Sequence, residues 1–581
     1  MRLSALALDY DGTIAQGDAI GASVREAIAA VRDSGISVLL VTGRILSELC
    51  RVAGDLHFVD GVVAENGAVI HFPANDYSQV LAPPVAPAFT AELRRRGIAG
   101  QAGQCLVDFD TRDAPHALEV IRDLELPIVL VFNRGRVMAM PQGVSKATGL
   151  QTMLNTLRLS PRNTVAIGDA ENDHELLRLA EVGYAVEWGA ASLRNAADLI
   201  VNGAGPAAVG PLIRTLAQSR RLPTPPRARR RLHFGYTPDG REFSLAVRGR
   251  NILVTGDAKS GKSWAAGLLC EQLILHGYSV CVIDPEGDYR SLEALPGVAV
   301  IGGEDPAPTP RQLVRALRYP DRSLIVDLSH MAHTEKIDYI RSLLPALNVL
   351  RRRTGLPHRI LLDEAHYFLH DADARQLLDF ELNGYVVVSY CASRLPKPLL
   401  DASEVIIVTC ESNPGEIEAL RKRCSCCPVP DTATWSKLHE LGYGQAVALP
   451  VTEEAGGELR WFTLGQRLTP HVRHRQKYVD VPVSDSRAFV FGTRRARTLR
   501  QFVEVLGQPE GNLDGYLRRN DFSRWIADVF GDYALADDLR LIEERYRNGW
   551  VSDVAGELIH DIRSRYDLRD DNVPLMPATA A

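Results

Sequence analysis

The sequence LALDYDGTI, residues 6–14, places two aspartates at the end of an apolar run. The apolar residues before Asp9 are typical of a buried β-strand, and the Asp-Gly-Thr that follows is typical of a turn. Asp9 and Asp11 are therefore predicted to lie at the carboxyl end of a strand, where open α/β sheets build their binding sites. Two carboxylates at such an edge can bind a hard cation, or one can attack phosphorus while the other moves a proton.

Three further segments carry polar side chains of the kind that phosphoryl transfer requires. VLLVTGR ends a predicted strand in Thr42, and GVSKATGL carries Lys146 ahead of a predicted helix. VAIGDAENDHEL ends a third predicted strand in Asp169 and continues to Asp173. Together these segments offer a hydroxyl donor for phosphate oxygens, a positive charge and carboxylates for Mg²⁺.

In this order, the four segments resemble those of the haloacid dehalogenase (HAD) superfamily of phosphatases, and the resemblance covers residues 1–213. The extra unit between Thr42 and Lys146, together with AENGAVI at residues 64–70, resembles the Cof-type branch, whose cap is inserted at that point. The resemblance implies Mg²⁺-dependent hydrolysis of a phosphorylated small molecule, such as a sugar phosphate.

The same resemblance implies roles for individual residues. Asp9 would be the nucleophile that forms an aspartyl-phosphate, and Asp11 would protonate the leaving group and then activate water. Thr42 and Lys146 would hold the phosphate. The implied Mg²⁺ ligands are Asp9, the carbonyl of Asp11, and Asp169, with Asp173 in support.

A second motif indicates a nucleotide site. NILVTGDAKSGKSW, residues 251–264, reads as an apolar strand, a glycine-rich loop and a helix, and it matches the GxxxxGK[ST] pattern. In such a loop the backbone amides surround phosphate oxygens, Lys262 reaches the β- and γ-phosphates, and Ser263 can bind Mg²⁺. We therefore predict ATP as a substrate. The predicted nucleotide-binding residues of the loop are Gly256, Lys259, Ser260, Gly261, Lys262 and Ser263.

Hydrolysis of ATP also needs a carboxylate near the metal and a group that positions water. Two predicted strands end in acids: SLIVDLSH ends in Asp327, and RILLDEAHYFL ends in the adjacent pair Asp363 and Glu364. The pair is the arrangement expected of an ATPase, with Asp363 near Mg²⁺ and Glu364 polarising water. Asp327 is interpreted as a strand-end residue of the same sheet.

These motifs, with SVCVIDPEGDY and YVVVSYCASRLPKPL, resemble the HerA/FtsK group of motor ATPases over residues 233–450, nearest to its HerA-like branch. The resemblance implies a RecA-like P-loop domain and a homo-oligomer, which could be a hexamer. In such rings a neighbour's arginine completes each site, and the candidates here are Arg421 and Arg423. Nucleic acid is a possible partner by the same resemblance.

Length and composition limit the class of protein. A chain of 581 residues is too long for one hydrophobic core and should form several domains. The net charge of −6 gives no overall basic field that would favour nucleic acid. Nine scattered cysteines do not form the framework of a secreted disulfide protein, and the apolar runs are too short to span a bilayer. We expect a cytoplasmic protein with no membrane partner.

The predicted fold class is α/β, because short apolar runs alternate with helical patterns through most of the chain. The Pro/Arg-rich segment at residues 214–232 is interpreted as a solvated spacer, and Trp525 and Trp550 are interpreted as core residues of the C-terminal domain. The predicted units are a HAD Rossmann-like phosphatase domain at residues 1–213 with an inserted α+β cap at about 80–140, a linker at 214–232, a HerA-like ATPase domain at 233–468 and a small helical domain at 469–581 that ends in a disordered tail.

Three functions remain open at this point. The first is a bifunctional enzyme, in which the ATPase acts on nucleic acid or regulates the phosphatase. The second is a polynucleotide kinase/phosphatase, although the Asp363–Glu364 pair favours hydrolysis over transfer to a hydroxyl. The third is an ATP-dependent oligomeric scaffold that presents phosphatase domains.

Overall fold

The structure is a computed structural model. The described residues are 1–133, 135–247, 251–369, 374–424, 431–450, 458–469, 479, 482–483, 485–508, 513–530, 533–551 and 553–566. The predicted disordered tail lies outside them.

The first unit is built on a mostly parallel sheet with helices on its faces, in which only Val69–Phe72 and Tyr77–Val80 pair antiparallel among the described strands. Its strands are β1 Ala5–Asp9, β2 Ala15–Gln16, β3 Ala19–Ile20, β4 Ser37–Val41, β5 Gly61–Ala64, β6 Val69–Phe72, β7 Tyr77–Val80, β8 Gly100–Ala102, β9 Val107–Asp110, β10 Ile128–Asn133, β11 Arg136–Pro141, β12 Thr164–Gly168, β13 Val182–Val186 and β14 Leu199–Val201. Its helices are α1 Ala22–Asp33, α2 Leu46–Ala53, α3 Pro87–Arg95, α4 Ala114–Asp123, α5 Lys146–Thr156, α6 His174–Leu179, α7 Ala191–Ala196 and α8 Val209–Ser219.

The order of the main sheet explains how distant motifs meet. Eight strands follow the order β14-β13-β12-β1-β4-β5-β6-β7, so β1 lies between β12 and β4 and is parallel to both. All five residues of β1 are buried, as expected for a strand covered by helices on both faces. Asp9 ends β1, Thr42 follows β4 and Asp169 follows β12. The three residues therefore come together at the carboxyl edge of three adjacent strands.

The inserted unit is a separate α+β layer. Its four strands follow the order β10-β11-β9-β8, and α3 and α4 pack on one face of this sheet through Phe89, Phe109 and Val120. Another cluster, formed by Leu106, Met138 and Met140 of this unit, packs against Ile45, which lies between β4 and α2 of the first unit. The inserted unit therefore lies on the first sheet as a cap.

The second unit contains an 11-stranded sheet of order β16-β15-β25-β24-β23-β17-β22-β21-β18-β20-β19. Its strands are β15 Arg231–Tyr236, β16 Glu242–Ala246, β17 Asn251–Thr255, β18 Val280–Asp284, β19 Val298–Gly302, β20 Ser323–Asp327, β21 Arg359–Leu362, β22 Tyr385–Ser389, β23 Ser403–Val408, β24 Gln445–Pro450 and β25 Arg460–Leu464. Its helices are α9 Lys262–Leu275, α10 Pro310–Ala316, α11 His333–Thr354, α12 Ala374–Leu377, α13 Lys397–Asp401, α14 Pro414–Arg421 and α15 Thr432–Ser436. The strands from β23 to β19 in this order are parallel, and the remaining four are antiparallel.

The last unit is mainly helical. It contains a hairpin of Phe489–Phe491 with Arg494–Ala496 and the helices Leu499–Leu506, Asp514–Arg518, Asp521–Trp525, Tyr533–Arg547 and Val554–Tyr566. In its core, Phe489 packs edge to face against the rings of Phe502 and Trp525, which also contact each other. The prediction of a core position is wrong for Trp550, which is 73% exposed.

The segment between the first two units differs from the prediction of a solvated spacer. Helix α8 continues past residue 213 to Ser219, because Leu216 and Ala217 extend its buried face. Beyond it, Arg229 donates to the carbonyls of Leu177 and Ala180 at 3.0 and 2.9 Å. The linker is therefore bound to the first unit over part of its length.

We call the contact surface between the first two units the seam. At its centre, Oε1 of Glu181 accepts a hydrogen bond from Tyr278 Oη at 2.8 Å. The other oxygen of Glu181 lies 3.2 Å from Arg230 Nη1 and 3.6 Å from Arg162 Nη1. Elsewhere in the seam, Ser4 Oγ donates to the carbonyl of Thr354 at 3.0 Å.

The seam joins the amino ends of the two sheets. Ser4 and Glu181 immediately precede β1 and β13 of the first sheet, and Tyr278 lies just before β18 of the second. The residues that carry the predicted chemistry instead follow strands, at the carboxyl ends. The two units are thus joined back to back, with their predicted sites facing away from each other.

Among the helices of the described ranges, none is both long and apolar enough to cross a lipid bilayer.

The seam contacts predict the effect of changing Glu181. Glu181→Ala would leave Arg162 and Arg230, which are 14% and 12% exposed, without their carboxylate, at a cost of about 2 kcal/mol. We expect trypsin to cleave the linker after Arg229 or Arg230 about 30-fold faster in this variant, in proportion to the more frequent opening of the segment. Glu175→Ala, at an exposed position of α6, is the matched control. Equal cleavage rates in the two variants would contradict the role given to Glu181.

Candidate active sites

The first candidate site is organised around a buried lysine. Lys146 is 1% exposed, and its ammonium donates to Asp9 Oδ1 at 2.7 Å and to Asp173 Oδ1 at 2.6 Å. Lys146 begins α5, where Ser145 forms a capping box with Thr148 that fixes the start of the helix. The helix start therefore places the lysine between two acids that come from different strands.

Asp173 is itself held in a fixed orientation. Its second oxygen accepts hydrogen bonds from the backbone N–H groups of Asp169 and Ala170 at 2.9 and 3.0 Å. Asp173 is fully buried, so these bonds replace the water it has lost.

Three carboxylates converge at this point. Asp9, Asp169 and Asp173 are all buried and offer oxygens that lie within 4.8 Å of one another. Asp9 Oδ2 is buried and accepts no hydrogen bond from the described part of the chain. The site therefore gathers more negative charge than Lys146 compensates.

The charges of the site shift one another's protonation. Burial, and then the negative charge of Asp173, raises the pKa of Asp9 to about 7, against the lowering effect of Lys146. Burial favours a lower pKa for Lys146, but the charges of Asp173 and Asp9 outweigh it and raise that pKa above its ordinary value. Lys146 is therefore a fixed positive charge.

Thr42 and Asp11 lie at the edge of this group. Thr42 is fully buried, and its Oγ1 accepts a hydrogen bond from the backbone N–H of Arg44 at 3.1 Å. The carboxylate of Asp11 is half exposed and binds the Arg44 guanidinium at 2.6 and 2.8 Å. The side chain of Asp11 is thus not one of the three converging carboxylates, and a metal-binding role for its carbonyl stays a prediction.

The cap is closed over the site by a contact that sequence reasoning missed. Glu65 is fully buried, and its carboxylate accepts hydrogen bonds from the backbone N–H groups of Gln104 and Cys105 at 2.9 and 2.8 Å. Asn66 adds a contact from its Nδ2 to Met140 Sδ of the cap at 3.4 Å. The sequence analysis noted the AENGAVI segment, but nothing in the sequence indicated that Glu65 binds backbone N–H groups of the cap.

The second candidate site is the loop between β17 and α9. Gly256 and Gly261 have φ values of 142° and 101°, which only glycine adopts readily. Lys262 Nζ donates to the carbonyls of Gly256 and Asp257 at 3.0 and 2.7 Å. Ser260 Oγ donates to the Asp257 carbonyl at 2.8 Å. The loop has the compact form expected of a phosphate-binding loop, and Lys259, at φ 63°, lies at its turn.

The sequence analysis did not assign a role to Asp288, which contacts this loop. Ser263 Oγ donates to Asp288 Oδ2 at 2.7 Å. Asp284 accepts hydrogen bonds from the N–H groups of Gly287, Asp288 and Tyr289 and so fixes the turn. Burial, and then the charge of Asp288, raises the pKa of Asp284 to about 8. The sequence DPEGD at residues 284–288, which starts with the last residue of β18, could have indicated a role for Asp288 at the loop.

The acid pair lies two strands away from the loop. Asp363 and Glu364 follow β21, which is separated from β17 by β22. Both acids are buried, and Glu364 has a φ of 47°, a strained left-handed conformation for a residue with a side chain. Its Oε2 lies 3.6 Å from His366 Nδ1, which is 3.4 Å from Ser389 Oγ at the end of β22.

The other acidic and basic candidates have partners of their own. Asp327 binds Arg290 and caps the N–H of Ser329, as expected of a strand-end residue. Arg421 lies 3.1 Å from Glu418, and Arg423 forms an ion pair with Asp401. Within one chain, both candidate arginines are thus engaged.

Comparison with known proteins identifies the first unit. The haloacid dehalogenase-like hydrolase family matches residues 6–87 and 101–210. A phosphoglycolate phosphatase of Natronomonas pharaonis is 34% identical over 209 residues, which cover 34% of this chain and 90% of that protein. The chain belongs to this hydrolase family. A phosphoglycolate phosphatase of Methanothermobacter thermautotrophicus is 30% identical over 212 residues, which cover 35% of this chain and 93% of that protein.

Further comparisons concern the fold and the second unit. The solved structure of a haloacid dehalogenase-like hydrolase from Bacteroides thetaiotaomicron aligns over 37% of this chain and all of that one, with 18% identity and a TM-score of 0.32. Residues 246–350 match the central domain of the helicase HerA. The predicted α/β fold class, the HAD phosphatase class and the HerA-like ATPase class are confirmed at the level of family.

The packing of α5 predicts how sensitive the HAD domain is to a small change. A Cβ added at Gly149 would lie 2.6 Å from Gly67 Cα and 2.7 Å from the Gly67 carbonyl, so Gly149→Ala must displace the helix that carries Lys146. We expect phosphate release to fall roughly 10- to 100-fold, since displacements of about 1 Å have such effects. ATP hydrolysis should not change. Thr156→Ala, at the exposed end of α5, is the control; a Gly149→Ala enzyme with unchanged kcat would contradict this role for the helix.

Proposed function

We propose that the chain is a bifunctional enzyme: a Mg²⁺-dependent phosphate monoester hydrolase at the HAD site, and an ATPase at the HerA-like site. The observation that carries the first half is the bridge from Lys146 to Asp9 and Asp173 at the carboxyl ends of adjacent strands. This bridge supports a site in which the Lys146 ammonium binds a phosphate next to Asp9, whose Oδ2 accepts no hydrogen bond from the described residues. A phosphate monoester bound beneath the cap would be hydrolysed, with water as the final acceptor of the phosphoryl group.

The residues present fit a divalent cation. Asp9, Asp169 and Asp173 gather three carboxylates around one ammonium, and oxygen donors of this kind are those that Mg²⁺ prefers. These three residues would hold the ion, with the carbonyl of Asp11 as a further ligand. When bound, Mg²⁺ would supply positive charge that offsets the charge on the transferring phosphoryl group.

Around such a substrate, the residues of the HAD site have distinct tasks. Lys146 and the Thr42 hydroxyl bind phosphate oxygens. Asp9 Oδ2 attacks phosphorus, the bond from phosphorus to the ester oxygen breaks, and the leaving oxygen takes a proton from Asp11. Asp11 then accepts a proton from the water that attacks the aspartyl-phosphate, which releases phosphate and restores Asp9. Because Arg44 binds both oxygens of Asp11, we propose that Asp11 leaves Arg44 during this cycle.

A small phosphorylated acid such as phosphoglycolate is the proposed substrate. Two curated relatives named phosphoglycolate phosphatase are covered almost entirely by the HAD domain. The closed cap supports a small ester, because Met138 Sδ lies only 3.2 Å from the position of a Cβ on Gly43, next to Thr42. The apolar side chains of Leu106 and Met140 limit the space further.

For the second half of the proposal, Lys262 and Ser263 bind the phosphates and the metal of ATP, Asp363 supports the metal, and Glu364 orients water. The back-to-back seam supports two separate reactions, since the two sites open at opposite ends of the joined sheets. This separation disfavours the polynucleotide kinase/phosphatase reading, in which both sites would process neighbouring termini of one strand.

The HAD half is tested by phosphate release from phosphoglycolate, hexose phosphates, nucleotides and 3′-phosphorylated DNA. We expect phosphoglycolate to have the highest kcat/KM, and Asp9→Asn to lower kcat about a thousandfold or more. EDTA should abolish the activity and Mg²⁺ should restore it. Asp33→Asn, an exposed acid on α1, serves as the control. Preferential release from DNA 3′-ends would reject the small-molecule substrate.

The ATPase half is tested with Lys262→Ala and Glu364→Gln. Lys262→Ala should lose ATP binding, whereas Glu364→Gln should keep it and lower turnover about 100-fold or more, because a group that positions or activates water contributes that much. Glu293→Gln, at an exposed site, is the control. Phosphoglycolate hydrolysis should be unaffected by both changes. A wild-type chain that binds ATP without turnover would reject the ATPase and favour the scaffold.

A further inference from the structure

A cluster of arginines lies at one side of the seam, in a cavity that no described carboxylate lines. A cavity of about 380 Å³ is lined by Arg158, Arg311, Val314, Arg315, Arg318 and Tyr319. Arg158 belongs to the HAD domain, whereas the other residues lie on α10 or just after it in the HerA-like domain. We call this cavity the seam pocket. It is formed by both enzymes together.

The arginines of the seam pocket are energetically unfavourable neighbours. Arg311 and Arg315 are one helical turn apart, and like charges at this spacing destabilise a helix by a few tenths of a kcal/mol. Through the described ranges, no carboxylate forms an ion pair with Arg158, Arg311, Arg315 or Arg318, and none lines the pocket. The adjoining cavity of about 300 Å³ shares Arg158 and Arg318 and adds Arg353, also without an acid.

Several other arginines in and near the seam have carboxylate partners. Arg230 has Glu181 and Arg229 has Asp198. A third cavity, which also contains several arginines, includes Asp379 and Glu381 in its lining, and Asp379 binds Arg352. The seam pocket thus gathers four arginines with no described carboxylate in its lining, in a chain whose net charge is −6. An anionic ligand would provide the missing compensation.

The shape and chemistry of the pocket favour a small ligand with several phosphate groups. Its volume lies within the range of about 300–1,000 Å³ that is usual for small-molecule sites. Guanidinium groups bind phosphate through paired hydrogen bonds, and four of them suit a di- or triphosphate better than a single phosphate. Tyr319 is 41% exposed, and Arg158 lies 4.7 Å from the centre of its ring. An exposed ring of this kind can also stack on a nucleobase.

We propose that the seam pocket binds a nucleoside di- or triphosphate between Arg158 of the HAD domain and Arg311, Arg315 and Arg318 of the HerA-like domain. The phosphates bridge the two domains, and the base lies against Tyr319. This second nucleotide site is distinct from the loop at residues 256–263 and lies at the opposite end of the sheet from it.

The test uses the full chain with Lys262→Ala, so that binding at the loop is removed. Equilibrium dialysis with labelled ADP in Mg²⁺-free buffer should find one ADP per chain. Adding Arg311→Glu and Arg315→Glu should weaken binding at least tenfold, which corresponds to about 1.4 kcal/mol. Arg158→Ala should weaken it by a similar factor from the other side of the seam. Arg94→Glu with Arg122→Glu, on exposed faces of the cap helices, makes the same change in charge and should leave ADP binding unchanged.

Competitors distinguish what is recognised. Displacement of ADP by inorganic pyrophosphate but not by adenosine would show that the phosphates dominate, as proposed. Failure of the Lys262→Ala chain to bind ADP, or binding that the arginine variants do not weaken, would overturn the proposal. So would a single-stranded oligonucleotide that binds more than tenfold tighter than ADP, since the pocket would then belong to a nucleic-acid surface. A thermal unfolding scan of each variant separates lost binding from lost folding.

Discussion

The buried ion bridge of Lys146 with Asp9 and Asp173 is the interaction on which the HAD domain depends. Each of these groups would be costly to bury alone, and each is tolerated because the others compensate it. The bridge also ties β1, α5 and the turn after β12 into one arrangement. Any backbone change that separates these elements exposes an uncompensated charge. The fold of the domain and the chemistry of its site therefore rest on the same contacts.

The sequence predicted that Asp9, Thr42 and Asp169 would meet, because each stands at the end of an apolar strand. The position of Asp9, Thr42 and Asp169 then follows from the order β12-β1-β4. The sequence could not predict the partners of Glu65, because they are backbone N–H groups of a distant loop and any residue type supplies those. It also could not predict that Arg44 binds Asp11, since a Thr-Gly-Arg turn has no feature that selects a partner.

In the HerA-like domain, the phosphate loop could be predicted because its glycines have a local cause in backbone geometry. Asp288 was missed, since its importance arises only where β18 approaches the loop. The linker was misread for a related reason: a run of arginines is usually solvated, but the carbonyls at the end of α6 offer acceptors that the sequence does not show. Local backbone conformation could thus be predicted from the sequence, whereas hydrogen bonds and ion pairs between distant polar groups could not.

The back-to-back seam has a consequence for how the two domains can change. Its contacts come from segments that enter strands, such as those of Ser4, Glu181 and Tyr278, whereas the chemistry is carried by loops that leave strands. Insertions or replacements in the cap, or in the loops around the ATP site, leave the joined surface intact. Either domain can therefore acquire a new substrate by changes in its loops while the two domains stay joined. The fusion thus does not restrict how the substrate specificity of either domain evolves.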